Sequence, residues 1–183
     1  MNIRPAKVND ADALARVHVD SWRAAYRGLV PDSFLESLNL EQRAQRFRES
    51  LASGTGDTYV VEESDELFGF LTLGACRDAD VDPATTGEIW GIYLAPRHWR
   101  KGVGRQLCQT AEQMLVSRHY RQAVLWVFEG NAAARRFYEA MGFEADGASK
   151  MLSPGAPLKA IRYWKRLKLA EPHGATNAAP PHG

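Results

Sequence analysis

Cysteine is scarce in this chain. Its 183 residues include two, Cys76 and Cys108, with no CxxC pair and no histidine pair nearby. That excludes a disulfide framework and a zinc ribbon, and no metal is expected. An excess of one charge is also lacking: 23 Lys and Arg stand against 22 Asp and Glu, a formal net charge of +1. A nucleic-acid surface needs a basic excess to displace counterions, so no nucleic-acid partner is expected. No apolar run reaches the ~20 residues that cross a bilayer. The opening Met1-Asn2-Ile3-Arg4-Pro5 has no apolar signal core. No membrane partner is therefore expected, and the expected location is cytoplasmic. Internal repeats are absent as well. What remains is a chain 45% hydrophobic and 10% aromatic, too apolar for disorder and long enough to close one full core.

Periodicity divides the chain into a helical first third and a mixed remainder. Ile3–Pro5 reads as a short strand entering a helix that Asn9 or Asp10 can cap, with Leu14, Val17, Ser21, Trp22 and Ala25 near one face. Gly28 and Pro31 break it. A second helix starts at Asp32, and a third, Glu41–Ala52, ends at the turn Gly54-Thr55-Gly56. Thr58–Glu62 and Leu67–Leu73 then read as a hairpin. After a polar loop over 76–87, Glu88–Leu94 is nearly apolar throughout, as a central strand covered on both faces should be. A helix from about Gly104 to Arg118, the strand Ala123–Phe128, a helix over Asn131–Met141 stopped by Gly142, and strands over Phe143–Met151 and Ile161–Leu167 complete the pattern. Beyond Leu167 the composition turns to Pro, Ala and Gly, so residues 1–167 form the expected domain and 168–183 a flexible tail. The element order predicts an α/β fold with a mixed sheet and helices on both faces, not an alternating Rossmann unit.

Two stretches carry chemistry. In EIWGIYLAPRHWRKGVGRQL (88–107) a buried strand runs into a basic turn that opens a helix. Free N–H groups at a helix start form a phosphate site, and Gly102 and Gly104 let a pyrophosphate approach the main chain. Arg100, Lys101 and Arg105 add positive charge around Val103. The Walker and dinucleotide patterns both fail, because neither GK followed by Ser or Thr nor a third glycine is present. In LWVFEGNAAARRFYEAMGF (125–143) Asn131 caps a helix. Seven residues at ~100° bring Tyr138 within ~20° of Asn131, about 10.5 Å further along. Each stretch also has an ordinary reading, a tight turn with surface bases and a capped amphipathic helix.

In this order and spacing, WRKGVG and NAAARRFYEAMGF resemble the acetyl-CoA-dependent N-acetyltransferases of the GNAT superfamily. The family motif Q/R-x-x-G-x-G/A matches at Gly102 and Gly104, with Trp99 where Gln or Arg is usual, a change that leaves the amide cradle intact. The second segment is similar to the family's N-x-x-A-x-x-x-Y-x-x-x-G-F. WRAAYRGLVPDSFLESL (22–38) looks like the opening of bacterial members, polyamine-acetylating ones included. The resemblance implies a twisted, mostly antiparallel sheet of about seven strands whose fourth and fifth strands, here Glu88–Leu94 and Ala123–Phe128, splay apart, with Gly91 marking a bulge where the splaying starts. It implies acetyl-CoA as cosubstrate and an amine acceptor. The main chain of Ile92, Tyr93 and Leu94 would pair with the pantetheine arm, Arg100–Arg105 would hold the pyrophosphate, and Asn131 would bond the pantetheine end. Tyr138 would protonate the leaving thiolate. Family members often pair through C-terminal elements, so a homodimer is expected.

Glu88 has two readings. It lies fourteen residues ahead of Gly102, the spacing of the base in histone-type members, or it merely solvates the exposed start of its strand. His18, Trp22 and Tyr26 fall where the family lines its acceptor cleft, yet also suit core packing. Cys108 reads as core. No Cys-His or Ser-His arrangement supports a covalent enzyme intermediate. The expected activity is direct acetyl transfer to a primary amine, a polyamine or amino acid being favoured. A protein N-terminus as acceptor, and a non-catalytic acyl-CoA-binding module, are the alternatives.

Overall fold

The computed structural model describes residues 1–168; of the expected tail, residues 169–183 lie outside the described part. Seven strands, β1 (Asn2–Pro5), β2 (Asp57–Glu63), β3 (Glu66–Ala75), β4 (Thr86–Leu94), β5 (Gln122–Phe128), β6 (Glu144–Leu152) and β7 (Leu158–Arg166), form one sheet in the order β1-β2-β3-β4-β5-β7-β6. The β4–β5 pairing is parallel and the others are antiparallel. Helices α1 (Ala11–Ala25), α2 (Asp32–Ser37) and α3 (Leu40–Ser53) precede β2, α4 (Val103–Ser117) links β4 to β5, and α5 (Ala132–Ala140) follows β5.

Alternation along the strands produces two apolar faces. On one, Leu71, Leu73, Ile89, Leu125 and Val127 pack with Leu107, Ala111 and Leu115 of α4. On the other, Val60 and Phe70 pack with Leu14 and Val17 of α1, and Phe47 of α3 closes over them. Helix α3 starts at Asn39, whose side chain accepts the Gln42 amide at 2.9 Å, and stops at Gly54 with φ +66°. An Arg48–Asp12 ion pair at 2.7 Å joins the far end of α3 to the start of α1, so the two helices run antiparallel.

Two local expectations are corrected. Asp10 occupies the cap position of α1 but makes no cap hydrogen bond. Its carboxylate accepts instead from Arg4, at 2.8 and 3.0 Å, and from the Lys7 amide at 2.6 Å, because charge-assisted bonds to a guanidinium outcompete an ordinary cap. The bulge in β4 falls on Trp90, not on Gly91 beside it: Thr72 pairs with Gly91 and Leu73 with Ile89, leaving Trp90 over. The Trp90 indole packs against two glycines. A Cβ on Gly74 would fall 2.7 Å from the ring and one on Gly56 2.2 Å from it.

Candidate active site

The site begins where two strands part. β4 and β5 pair through only three positions, Thr86–Gln122, Gly87–Ala123 and Glu88–Val124. Beyond them β5 stays bonded to β7 as far as Phe128–Ala160, while the Trp90 bulge turns β4 away. On the other edge of β4 the Ala95 amide donates to Phe68 at 2.8 Å. Antiparallel alternation then commits the main chains of Tyr93 and Gly91 to β3 and points those of Ile92 and Leu94 into the gap. The Leu94 carbonyl is already taken, accepting Ser21 Oγ and Trp99 Nε1, each at 2.7 Å. Ile92 N–H and C=O and Leu94 N–H therefore remain for an extended ligand arm.

At the mouth of the gap α4 starts without a cap. Gly102 is its N-cap residue, in a left-handed conformation (φ +83°), and no side chain bonds the first turn. Arg100 is left-handed too, with φ +59°. The first helical bond to the cap runs from Gln106 N to Gly102 O at 3.2 Å, so the amides of Val103, Gly104 and Arg105 lack helical acceptors. Arg100, Lys101 and Arg105 are exposed, and none forms an ion pair among the described residues. Gly104 has no positive φ. A Cβ there would meet Phe137 at 3.5 Å and Leu94 at 3.7 Å, ordinary contacts, so the fold alone does not demand glycine. Orphan amides, three free cations and an unfilled Cβ position together fit a pyrophosphate laid on the helix start.

Opposite, α5 is capped. Asn131 Oδ1 accepts the Ala134 amide at 3.1 Å, which leaves its amide NH2 beside the Tyr26 hydroxyl. The half-buried Tyr138 ring packs edge-on against Phe137 (5.0 Å) and Phe143 (5.9 Å). Its hydroxyl makes no hydrogen bond among the described residues. Burial, then the neighbouring Cys108, Tyr26 and Tyr93, push its pKa well above the ordinary phenol value, so it holds its proton throughout the neutral range. Cys108 is buried, its thiol pushed up to about 12 chiefly by burial, and behaves as core.

Glu88 is 2% exposed, which overturns its reading as an exposed strand start. Both carboxylate oxygens hold Arg77: Oε1 accepts from Nη2 at 2.6 Å, and Oε2 from Nε at 3.0 Å and from the Arg77 amide at 3.1 Å. The guanidinium also lies over Trp90, 4.5 Å from the ring centre. A buried carboxylate needs such a partner, but nothing in the spacing of 76–87 singled out Arg77.

On the α1 side of the gap stands an aromatic wall. Trp22 lies 4.6 Å from Tyr26, 6.3 Å from Phe34 of α2 and 6.4 Å from Phe128, and Tyr26 lies 5.4 Å from Phe128. His18 stacks on Trp22 (5.6 Å) and approaches Tyr93 (4.8 Å). Burial, helped by the charge of Arg43, lowers the His18 pKa to about 3, so it is neutral at working pH. No sequence signal marks Arg43, because α3 also carries Glu41, Arg46, Arg48 and Glu49. Among the described residues no group of three or more His, Cys, Asp or Glu could hold a metal ion, and no helix is long and apolar enough to cross a membrane.

The sheet order, the parallel β4–β5 pair that parts, and the open start of α4 define a class of protein. The model of the Acetyltransferase (GNAT) family matches residues 18–143. The chain therefore belongs to that family and is by class an N-acetyltransferase. It is 29% identical to an uncharacterized N-acetyltransferase of Bacillus subtilis, across 88% of this chain and 90% of that one. It is 24% identical to a spermidine N(1)-acetyltransferase of Thermoplasma acidophilum, across 80% of this chain and 89% of the other. A solved structure, the paia N-acetyltransferase of Thermoplasma acidophilum in complex with coenzyme A, superposes with a TM-score of 0.70 at 22% identity, covering 90% of this chain and 98% of that one. At that identity the likeness speaks to the fold.

Proposed function

We propose that the protein transfers an acetyl group from acetyl-CoA directly to the primary amine of a small acceptor. The observation that carries this reading is the uncapped α4 start at the mouth of the parted strands, with the protonated Tyr138 phenol on the facing helix. The amides of Val103, Gly104 and Arg105 bind the pyrophosphate, and Arg100, Lys101 and Arg105 neutralise it. Ile92 N–H and C=O and Leu94 N–H align the pantetheine arm as an added strand, and the Asn131 NH2 bonds its far end. Acetyl-CoA, when bound, supplies an activated thioester. The neutral amine nitrogen forms a bond to the acetyl carbon as the carbon–sulfur bond breaks, and Tyr138 gives its proton to the departing sulfur.

Glu88, buried at the last paired position of β4, is the proposed acceptor of the proton that the ammonium must lose. Proton uptake requires its partner Arg77, whose side chain is 59% exposed, to swing away. A purely structural ion pair is the competing role, and kinetics separates the two. A CoA-release assay across a panel of amines tests the activity, with Glu88→Gln beside the wild type. If Glu88 is the base, the variant loses rate at neutral pH and recovers part of it at alkaline pH, where more amine is already neutral. Full neutral-pH activity in the variant leaves Glu88 with the structural role alone.

A further inference from the structure

The α1 wall contains polar atoms that the described residues do not satisfy. Trp22 Nε1 and His18 Nδ1 are buried and have no hydrogen-bond partner among the described residues. Buried polar atoms left open in this way are uncommon in folded proteins, and each needs an explanation. The Tyr93 hydroxyl lies near the indole without closing a bond to it. Beside this group, on α3, stands Arg43. It is one turn ahead of Phe47, whose ring is 6.2 Å from His18 and 5.4 Å from Phe70, so the two residues share the helix face turned toward the wall.

Arg43 is half-buried, and its side chain has neither an ion-pair partner nor a hydrogen bond among the described residues. The contrast within its own helix is direct: Arg48, on the same α3, pairs with both Asp12 and Glu41. Burial, and then the charge of Arg46, pull the Arg43 guanidinium below its ordinary pKa, with Tyr93 partly offsetting them. The charge of Arg43 adds to the lowering of the His18 pKa and opposes the rise of the Tyr93 pKa.

Guanidinium and indole N–H groups can only donate. A half-buried cation and a buried indole donor, both unanswered, call for an anionic acceptor of hydrogen bonds. They also repel a ligand whose charges are all positive. We propose that the acceptor is a primary amine carrying a carboxylate, and that Arg43 and Trp22 Nε1 hold that carboxylate. The proposal rests on the acetyl-transfer reading and narrows its substrate to the amino-acid class, against polyamines. The faces of Trp22, Tyr26 and Phe128 receive the apolar part of the acceptor and leave the amine toward the gap between β4 and β5.

Matched probes test it. L-Phenylalanine against 2-phenylethylamine, and L-ornithine against putrescine, differ only by the carboxylate. Each is titrated calorimetrically into the protein with bound CoA, and each is assayed for CoA release from acetyl-CoA. The expected result is that the acid of each pair binds about 10- to 100-fold more tightly than its decarboxylated partner, the range of a charge-assisted bond. Arg43→Gln should collapse that ratio toward one, and Arg43→Lys should keep part of it. Arg46→Gln, which removes an equal charge from an exposed position of α3, should leave the ratio as it was. Equal binding within each pair, preference for putrescine, or a ratio indifferent to Arg43→Gln would overturn the proposal. A protein that fails to bind acetyl-CoA would instead bring down the acetyl-transfer reading. The acid and amine isotherms, repeated without CoA, would still judge the Arg43 site.

Discussion

Two helices begin beside the parted strands, and they begin differently. α5 closes its own first turn through Asn131 Oδ1 and the Ala134 amide. α4 has Gly102 at the same position, no side-chain bond, and three basic residues around open amides. A helix start costs stability when its donors are left unpaired, typically about 1 kcal/mol where alanine replaces a capping side chain and only a few tenths where glycine does. α5 avoids that cost and supplies a rigid platform for Tyr138. α4 accepts it, which makes sense if a ligand completes the turn. One start is closed within the fold and the other is left open, although both follow a strand and both lie at the same end of the sheet.

Substitutions can break that division. The largest effect belongs to the platform: Tyr138→Phe should lower kcat about 10- to 1000-fold while CoA affinity stays within a few-fold. It deletes one hydroxyl and keeps the ring packing. Steady-state kinetics beside calorimetry reads both quantities, and unchanged turnover would leave Tyr138 as a packing residue. Next comes the open start. Gly104→Val should weaken CoA about 10- to 100-fold with folding intact, and Gly104→Ala should do so less. The Cβ of either meets only ordinary contacts within the protein, so an unaltered isotherm would remove the cradle.

A third test separates both starts from the α1 wall. His18 has a folded pKa of about 3, depressed mainly by burial. Between the ordinary histidine value, ~6.5, and ~3 the unfolded chain therefore binds a proton that the folded one refuses. The stability contributed by neutral His18 is present above the unfolded pKa and is lost as pH falls through this window. The slope is up to ~1.4 kcal/mol per pH unit. Urea melts from pH 7 to 4 should show a steeper decline for the wild type than for His18→Phe. The smallest effect is at the closed start. Asn131→Ala should cost about 1 kcal/mol in stability, whereas Asn131→Asp should keep the cap and lose only the NH2 proposed to bond the cofactor. If Asn131→Asp binds CoA as the wild type does, Asn131 acts through capping alone.

Much of the proposed binding side was legible in the chain because it depends on the backbone. Gly102, Gly104 and the flanking bases announce an open helix start by local sequence alone, and the Asn131–Tyr138 spacing fixes a shared helix face. The α1 wall was legible only in part: Trp22, Tyr26 and His18 were visible as residues, but not as neighbours of Phe128 and Tyr93 from distant strands. Glu88 was found by its spacing, and its exposure was undecided until Arg77 was seen to hold both oxygens. Of the three strand residues expected to pair with the pantetheine arm, the ladder to β3 engages the main chain of Tyr93, and Ser21 and Trp99 engage the Leu94 carbonyl.

The sequence by itself determined what depends on neighbours along the chain: helix faces at a period of 3.6, apolar strands, the cap at Asn131 and the glycine turn before α4. Tertiary structure decided what depends on residues far apart in sequence. It left the Arg43 side chain without a partner among the described residues, paired Glu88 with Arg77, and put the bulge at Trp90, whose indole packs against Gly74 of β3 and Gly56 of the turn before β2. The physical reason is that hydrogen bonds along a helix have a fixed offset in the chain, whereas the partner of a buried charge or ring is set only when separate elements pack together.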